Sequence, residues 1–291
     1  MSQDLARSTA VTRLEGARGR YVAELDEAWS YVMPSGGVLM TVAMRAITHE
    51  LGDANLRPLS ATALFCSPVP AGPLEVRVEV LRLGRAAVQL RAALASTSTP
   101  GPGLEVTATY VRSRDGADVL GLSVPSTSLP EDCPDAGNAP RIAAGHPARP
   151  FFDNYDMRLA SGAPLWERAG WPRGEARSAF WYRYRTSQLT EDGSLDPLAL
   201  PPIADTMPDA LANALGPDAR FYAPSLDLTV HFLEATRSEW LLVDKSCERA
   251  HGGYATASAN LWDDRGRLVA RTTQTMMLRA PESMNLVASR P

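Results

Sequence analysis

Histidine is the side chain best suited to exchange protons near neutral pH, and this chain carries four, at 49, 146, 231 and 251. None stands in H-E-x-x-H or H-x-x-x-H spacing, and His49-Glu50-Leu51-Gly52-Asp53 stops short of a zinc motif. Cys66, Cys133 and Cys247 are odd in number and far apart, which suggests neither a disulfide framework nor a C-x-x-C knuckle. Cys66 and Cys247 fall in strand-like segments and read as small core hydrophobes rather than nucleophiles. No serine is framed as G-x-S-x-G, so a covalent serine mechanism lacks its elbow. Neither G-x-G-x-x-G nor a P-loop occurs, leaving dinucleotide and nucleoside triphosphate chemistry without sequence support. The run Phe180-Trp181-Tyr182-Arg183-Tyr184 fits a strand covering a core or the wall of an acyl or adenine pocket. His251-Gly252-Gly253 reads as a turn whose glycines serve backbone geometry.

The elements that would position such groups must come from 291 residues, enough for two domains or one large one, with an ordinary apolar share of 45%. A formal charge of −4 gives no global attraction to nucleic acid or anionic lipid. Lys245 is the only lysine, so an anionic ligand would be met mainly by guanidinium groups. Sparse cysteine and the absence of a signal-like or ~20-residue apolar run lead us to expect a cytoplasmic protein with no membrane span.

Self-similarity is the most informative feature. PLSATALFCSPVPAGPLEVRVEVLRLGRAAVQLRAALAS with LEVTATYVR shares its rhythm with SLDLTVHFLEATRSEWLLVDKSCERAHGGYATASANLW with LVARTTQTMMLR. Phe65 and Phe232, Arg82 and Arg249, and Arg112 and Arg279 each stand 167 positions apart, and Thr62/Thr229, Leu74/Leu241, Leu94/Leu261 and Met40/Met207 keep that offset. Each copy reads as a strand, a helix and four strands. Tyr21 to Val32 is strand-like, and Met33-Pro-Ser-Gly-Gly opens VLMTVAMRAITHEL, whose apolar positions surround most of the helix axis and predict burial on nearly every side. In the second copy PFFDNYDMRLA and SAFWYRYRT are strand-like, and ADTMPDALANAL fills the helix slot with Pro208 near its start. Residues 120–150, rich in Pro, Ala, Gly and Ser, read as a linker between a first unit at 1–119 and a second at 151–291. A helix wrapped by antiparallel strands, present twice, is an α+β architecture.

With GGVLMTVAMRA, EVLRLGRAAVQLRA, ADTMPDAL, SLDLTVHF, EWLLVDKS and GRLVARTTQTMMLR in view, the chain resembles the double-hotdog acyl-CoA thioesterases of the thioesterase II type, from about Tyr21 to Arg279. The resemblance implies a tandem double hotdog, two antiparallel sheets each wrapped around a central helix. It implies hydrolysis of an acyl-CoA, or an acyl-carrier thioester, to free acid and thiol, as in lipid metabolism. No cofactor is implied, coenzyme A entering only as part of the substrate, and no metal. The family's catalytic set is an Asp at the start of the second-copy helix, a Ser or Thr opening the next strand and a Gln in the last strand; here these fall on Asp205, Ser225 and Gln274. Substrate-binding candidates are His231 and Trp181, with arginines at the tunnel mouth meeting phosphates. A homodimer or larger homo-oligomer is also implied. Asp227-Leu228 and Phe232-Leu233-Glu234 depart from the Asp-His and His-Arg pairs that bacterial members often carry, which weakens any transfer of substrate preference.

The repeat supplies a check independent of the family. At the same offset Asp205 meets Val38, Ser225 meets Pro58 and Gln274 meets Thr107, so a single competent site is expected, in the second copy. Asp205 has a purely structural reading too, as a cap for its own helix. An enoyl-thioester hydratase or dehydratase, which would want an Asp and His together on one helix, and a non-catalytic acyl-thioester binder are the alternatives.

Overall fold

The computed structural model describes residues 2–163, 174–216 and 221–279. In the first copy, α1 (Leu5–Ser8), β1 (Thr12–Arg13) and β2 (Arg20–Leu25) lead to α2 (Gly36–Leu51), then β3 (Arg57–Phe65), β4 (Gly72–Leu83), β5 (Ala87–Ser96) and β6 (Leu104–Val111). The second copy follows α3 (Asn138–Ala143) with β7 (Tyr155–Ser161), β8 (Arg177–Tyr184), α4 (Leu200–Ala204), α5 (Pro208–Leu215), β9 (Ser225–Phe232), β10 (Leu241–His251), β11 (Tyr254–Asp263) and β12 (Leu268–Met277).

Strand alternation sets the inner face: Val88, Leu90, Ala92 and Leu94 of β5 are buried in turn, as period-two side chains over a helix should be. The all-round apolar α2 is covered as expected, with Val38 to Met44 buried without a break. Between β10 and β11, Gly252 and Gly253 both take positive φ (59° and 84°), the requirement of a two-residue turn matched to the twist of its strands.

Antiparallel pairing orders the described strands β1-β2-β4-β5-β6-β3-β9-β12-β11-β10-β8-β7. The sheets of the two copies are thus not separate. They meet edge to edge at β3 and β9, giving one twelve-stranded sheet among the described residues. At this seam Thr62 pairs with Thr229, hydroxyl oxygens 2.9 Å apart, so residues equivalent at the 167 offset face each other across a pseudo-two-fold axis. Irregularities repeat as well. Leu81 and Glu248 are extra residues in the β4–β5 and β10–β11 hairpins, and Leu59 and Leu226 are extra residues near the start of β3 and β9.

Several local expectations need correction. The strand foreseen from Tyr21 to Val32 stops at Leu25, because Asp26 accepts a hydrogen bond from the Ala28 amide (2.6 Å) and starts a 3-10 turn at Glu27–Trp29. PFFDN forms a 3-10 turn with Pro150 at its first position, and the strand begins only at Tyr155. Cys66 follows β3 and is exposed, whereas Cys133 and Cys247 are buried. The linker is mostly irregular but includes α3, and its Ser128 carbonyl accepts the Trp181 indole N–H (3.1 Å). Trp181 there joins Cys133, Ala179, Leu242, Trp262 and Leu268 in an apolar cluster of its own, apart from the main core.

The largest departure is in the second helix slot. Where α2 is continuous, the second copy has α4 and α5 with Asp205, Thr206 and Met207 between them. Pro208 explains the break: it has no amide proton for a preceding turn and its ring clashes with the carbonyl four residues back, so it starts a helix rather than continuing one. Thr41 of α2 donates to the Leu198 carbonyl (2.9 Å), and Arg45 of α2 pairs with Asp196 at 2.5 Å, tying the first-copy helix to the approach of α4.

Candidate active site

Asp205 occupies the unwound step after α4, with φ −82° and ψ 41°. It does not cap its own helix: α5 has Met207 at the N-cap and no side-chain cap bond. The carboxylate points instead across the molecule to the start of α2. Its Oδ2 accepts the Gly37 amide (3.0 Å) and the Ser35 hydroxyl (3.2 Å) from the first copy. Its Oδ1 accepts the Ser225 hydroxyl (3.0 Å) and Gln274 Nε2 (2.5 Å) from the second, and Gln274 Nε2 also donates to Ser225 Oγ (2.6 Å). The three residues taken from the sequence are therefore one hydrogen-bonded cluster.

Backbone devices make this meeting possible. Strict alternation would put Ser225 on the same face as Thr229 and His231, away from the helices. The extra residue Leu226 shifts the register, so that Asp227 opposes Thr275 while Ser225 opposes Met276 and turns inward beside Leu228. Gln274 reaches the interior without help, in the buried series Ala270, Thr272, Gln274 and Met276 of β12. On the other side, a side chain at Gly37 would put its Cβ 2.2 Å from the Pro201 carbonyl oxygen, and one at Gly36 would sit 3.1 Å from Asp205 Oδ2. The glycine pair lets the α2 N-terminus approach α4 and the carboxylate.

Burial pushes the Asp205 carboxyl above its ordinary range, opposed by the Gly37 amide and then by Ser225, Ser35 and Gln274. Burial that raises the carboxyl makes it a stronger proton acceptor than an exposed aspartate. Gln274 Oε1 is buried without a protein partner, an acceptor of the kind that a polar ligand or water satisfies. The Tyr31 phenol, in the field of Tyr182, Asp205 and Asp209, is held well above its ordinary value, first by burial, and stays protonated.

His231 is exposed on β9 opposite Ser60 and Arg271, and Trp181 lies in the separate cluster under the linker, so neither substrate-binding candidate joins Asp205. Sequence reasoning missed Ser35 and Gly37, although Ser-Gly-Gly ahead of an apolar helix was visible. It also missed a buried ion pair between Lys245 of β10 and Asp209 of α5, where the lone lysine was the available signal. Among the described residues no group of His, Cys, Asp and Glu has metal-binding geometry, and no helix is long and apolar enough to cross a membrane.

A tandem of strand-wrapped helices with a buried carboxylate, hydroxyl and amide at their junction defines a double hotdog with a polar centre between its copies. Residues 130–278 match the family model described as the acyl-CoA thioesterase C-terminal domain, and residues 25–113 match that of the N-terminal domain. The chain belongs to the acyl-CoA thioesterase family and is a thioester hydrolase. Its fold is similar to that of a hot dog fold protein of unknown function from Alicyclobacillus acidocaldarius (TM-score 0.80, 20% identity, 97% of this chain and 100% of that one). It is also similar to an acyl-CoA thioesterase II, TesB2, from Mycobacterium marinum (TM-score 0.74, 21% identity, 96% and 100%). A tesB protein from Mycobacterium avium subs paratuberculosis matches with TM-score 0.71 and 19% identity over 94% and 98%. No curated protein sequence matches the chain significantly.

Proposed function

We propose that the chain hydrolyses an acyl-CoA, or a related acyl-carrier thioester, by water activated at Asp205 and positioned by Ser225 and Gln274. The observation that carries this reading is the shared hydrogen bonding of Asp205 Oδ1, Ser225 and Gln274 at 2.5–3.0 Å in a buried setting. A water entering this cluster replaces one of the two donors on Asp205 Oδ1 and meets the free Gln274 Oε1. Asp205 takes one proton as the water oxygen bonds to the thioester carbonyl carbon. The tetrahedral intermediate collapses by breaking the carbon–sulfur bond, and the Asp205 carboxyl returns its proton to the departing thiolate. Acid and thiol are the products, and a carboxylate base with hydrogen-bond donors suffices for the chemistry without a metal or redox cofactor.

The test is thiol release over short, medium, long, branched and aromatic acyl-CoAs. Thiol released together with free acid from at least one of them is the expected result. Hydration of an enoyl-CoA without thiol release, or binding of every acyl-CoA without turnover, would overturn the reading in favour of a hydratase or a binding protein.

A further inference from the structure

Ser35 opens α2, the position where a serine ordinarily accepts a hydrogen bond from an amide two or three residues on. It makes no such bond here. Its hydroxyl donates to Asp205 Oδ2 (3.2 Å), and the Gly37 amide that a cap would satisfy goes to the same oxygen (3.0 Å). Ser35 is 2% exposed and its backbone is fixed at both ends: its amide donates to the Trp29 carbonyl (3.0 Å), and its carbonyl accepts from Val38 and Leu39 (both 3.1 Å). The hydroxyl therefore has a rigid origin and one acceptor.

The internal repeat shows that this contact is built for one side only. At the 167 offset, Ser35 corresponds to Pro202 and Asp205 to Val38. Neither the hydroxyl nor the carboxylate has a counterpart across the pseudo-two-fold axis. A helix start requires neither feature, because α4 opens without a side-chain cap bond.

We propose that Ser35 of the first copy is a positioning residue for Asp205, so that the hydrolytic site of the second copy is completed by the first. Ser35 and Gly37 hold Oδ2, which leaves Oδ1 turned toward Ser225, Gln274 and the water that loses its proton. Together with the partial positive charge of the α2 N-terminus, they also favour the ionised carboxylate against burial. This rests on the reading of Asp205 as the base.

The experiment is a pH profile of kcat/KM for thiol release by wild type, Ser35→Ala, Ser35→Thr and Ser35→Gly, with thermal melting of each and Asp205→Asn alongside. Removing a donor to the charged form should move the acid limb of Ser35→Ala to higher pH and lower kcat roughly 10-fold, the scale of one hydrogen bond to a charged group. Ser35→Thr, which restores the hydroxyl, should return the limb to its wild-type position. Ser35→Gly, which a helix start tolerates, repeats the test should alanine melt too low. A wild-type acid limb and turnover per folded molecule in Ser35→Ala or Ser35→Gly, beside an inactive Asp205→Asn, would overturn the positioning role alone. An active Asp205→Asn would overturn the base and the positioning role together.

Discussion

Asp205 carries its charge where burial opposes it and four donors support it, and burial wins: its carboxyl titrates above the ordinary range. The consequence for stability has a definite sign. A carboxyl whose folded value exceeds its unfolded one, near 3.9, binds its proton more tightly when folded. Its contribution to stability is fully present below that unfolded value and is lost as pH rises through the folded one. The melting temperature of wild type relative to Asp205→Asn should therefore fall as pH is raised from about 4, the opposite of an ordinary salt-bridged aspartate. A difference that is flat or rises with pH would contradict the assignment. Of the residues around this carboxylate, Ser225 and Gln274 were legible through family resemblance. Ser35 and Gly37 were not, because they lie 170 and 168 positions away in the other copy and reach Asp205 only through the packing of two helix ends. The inward turn of Ser225 also escaped the pattern, since a single extra residue reverses the alternation on which strand reading depends.

At the scale of elements, the repeat and nearly every strand could be read from apolar alternation, but the helix slot of the second copy could not. Pro208 was placed near a helix start, and the consequence, a separate α4 ending just before Asp205, depends on Pro201 and Pro202 starting a turn of their own. The shorter α5 is fastened to the sheet by Lys245, wholly buried over the Phe180 ring (4.3 Å), and by Asp209. The first copy has Val42 and Val78 at the equivalent positions. Burial lowers the Lys245 pKa, with Asp209 opposing that shift. Replacing Lys245 alone by methionine leaves a buried carboxylate without its partner and should cost about 3–5 kcal/mol in denaturant unfolding. Installing the first-copy residues as Lys245→Val with Asp209→Val should cost far less or stabilise the protein. Equal losses in both variants would show that the pair contributes more than mutual neutralisation.

In the whole molecule, the offset of 167 visible in the sequence becomes the pseudo-two-fold axis through Thr62 and Thr229. That the two sheets join was not legible, because apolar periodicity identifies strands but does not say which edges meet. The chemistry does not follow the axis: Asp205, Ser225 and Gln274 correspond across it to Val38, Pro58 and Thr107, so the account requires one hydrolytic site per chain. Thiol release by Asp205→Asn, scored per folded molecule on the best wild-type substrate, tests this most directly. General-base assistance is typically worth 10²–10⁴-fold, so a loss of about that size is expected. A second competent site in the first copy would leave about half the wild-type rate. Near-normal turnover in a folded Asp205→Asn protein would reduce the carboxylate to a structural contact at the α2 N-terminus and contradict the account.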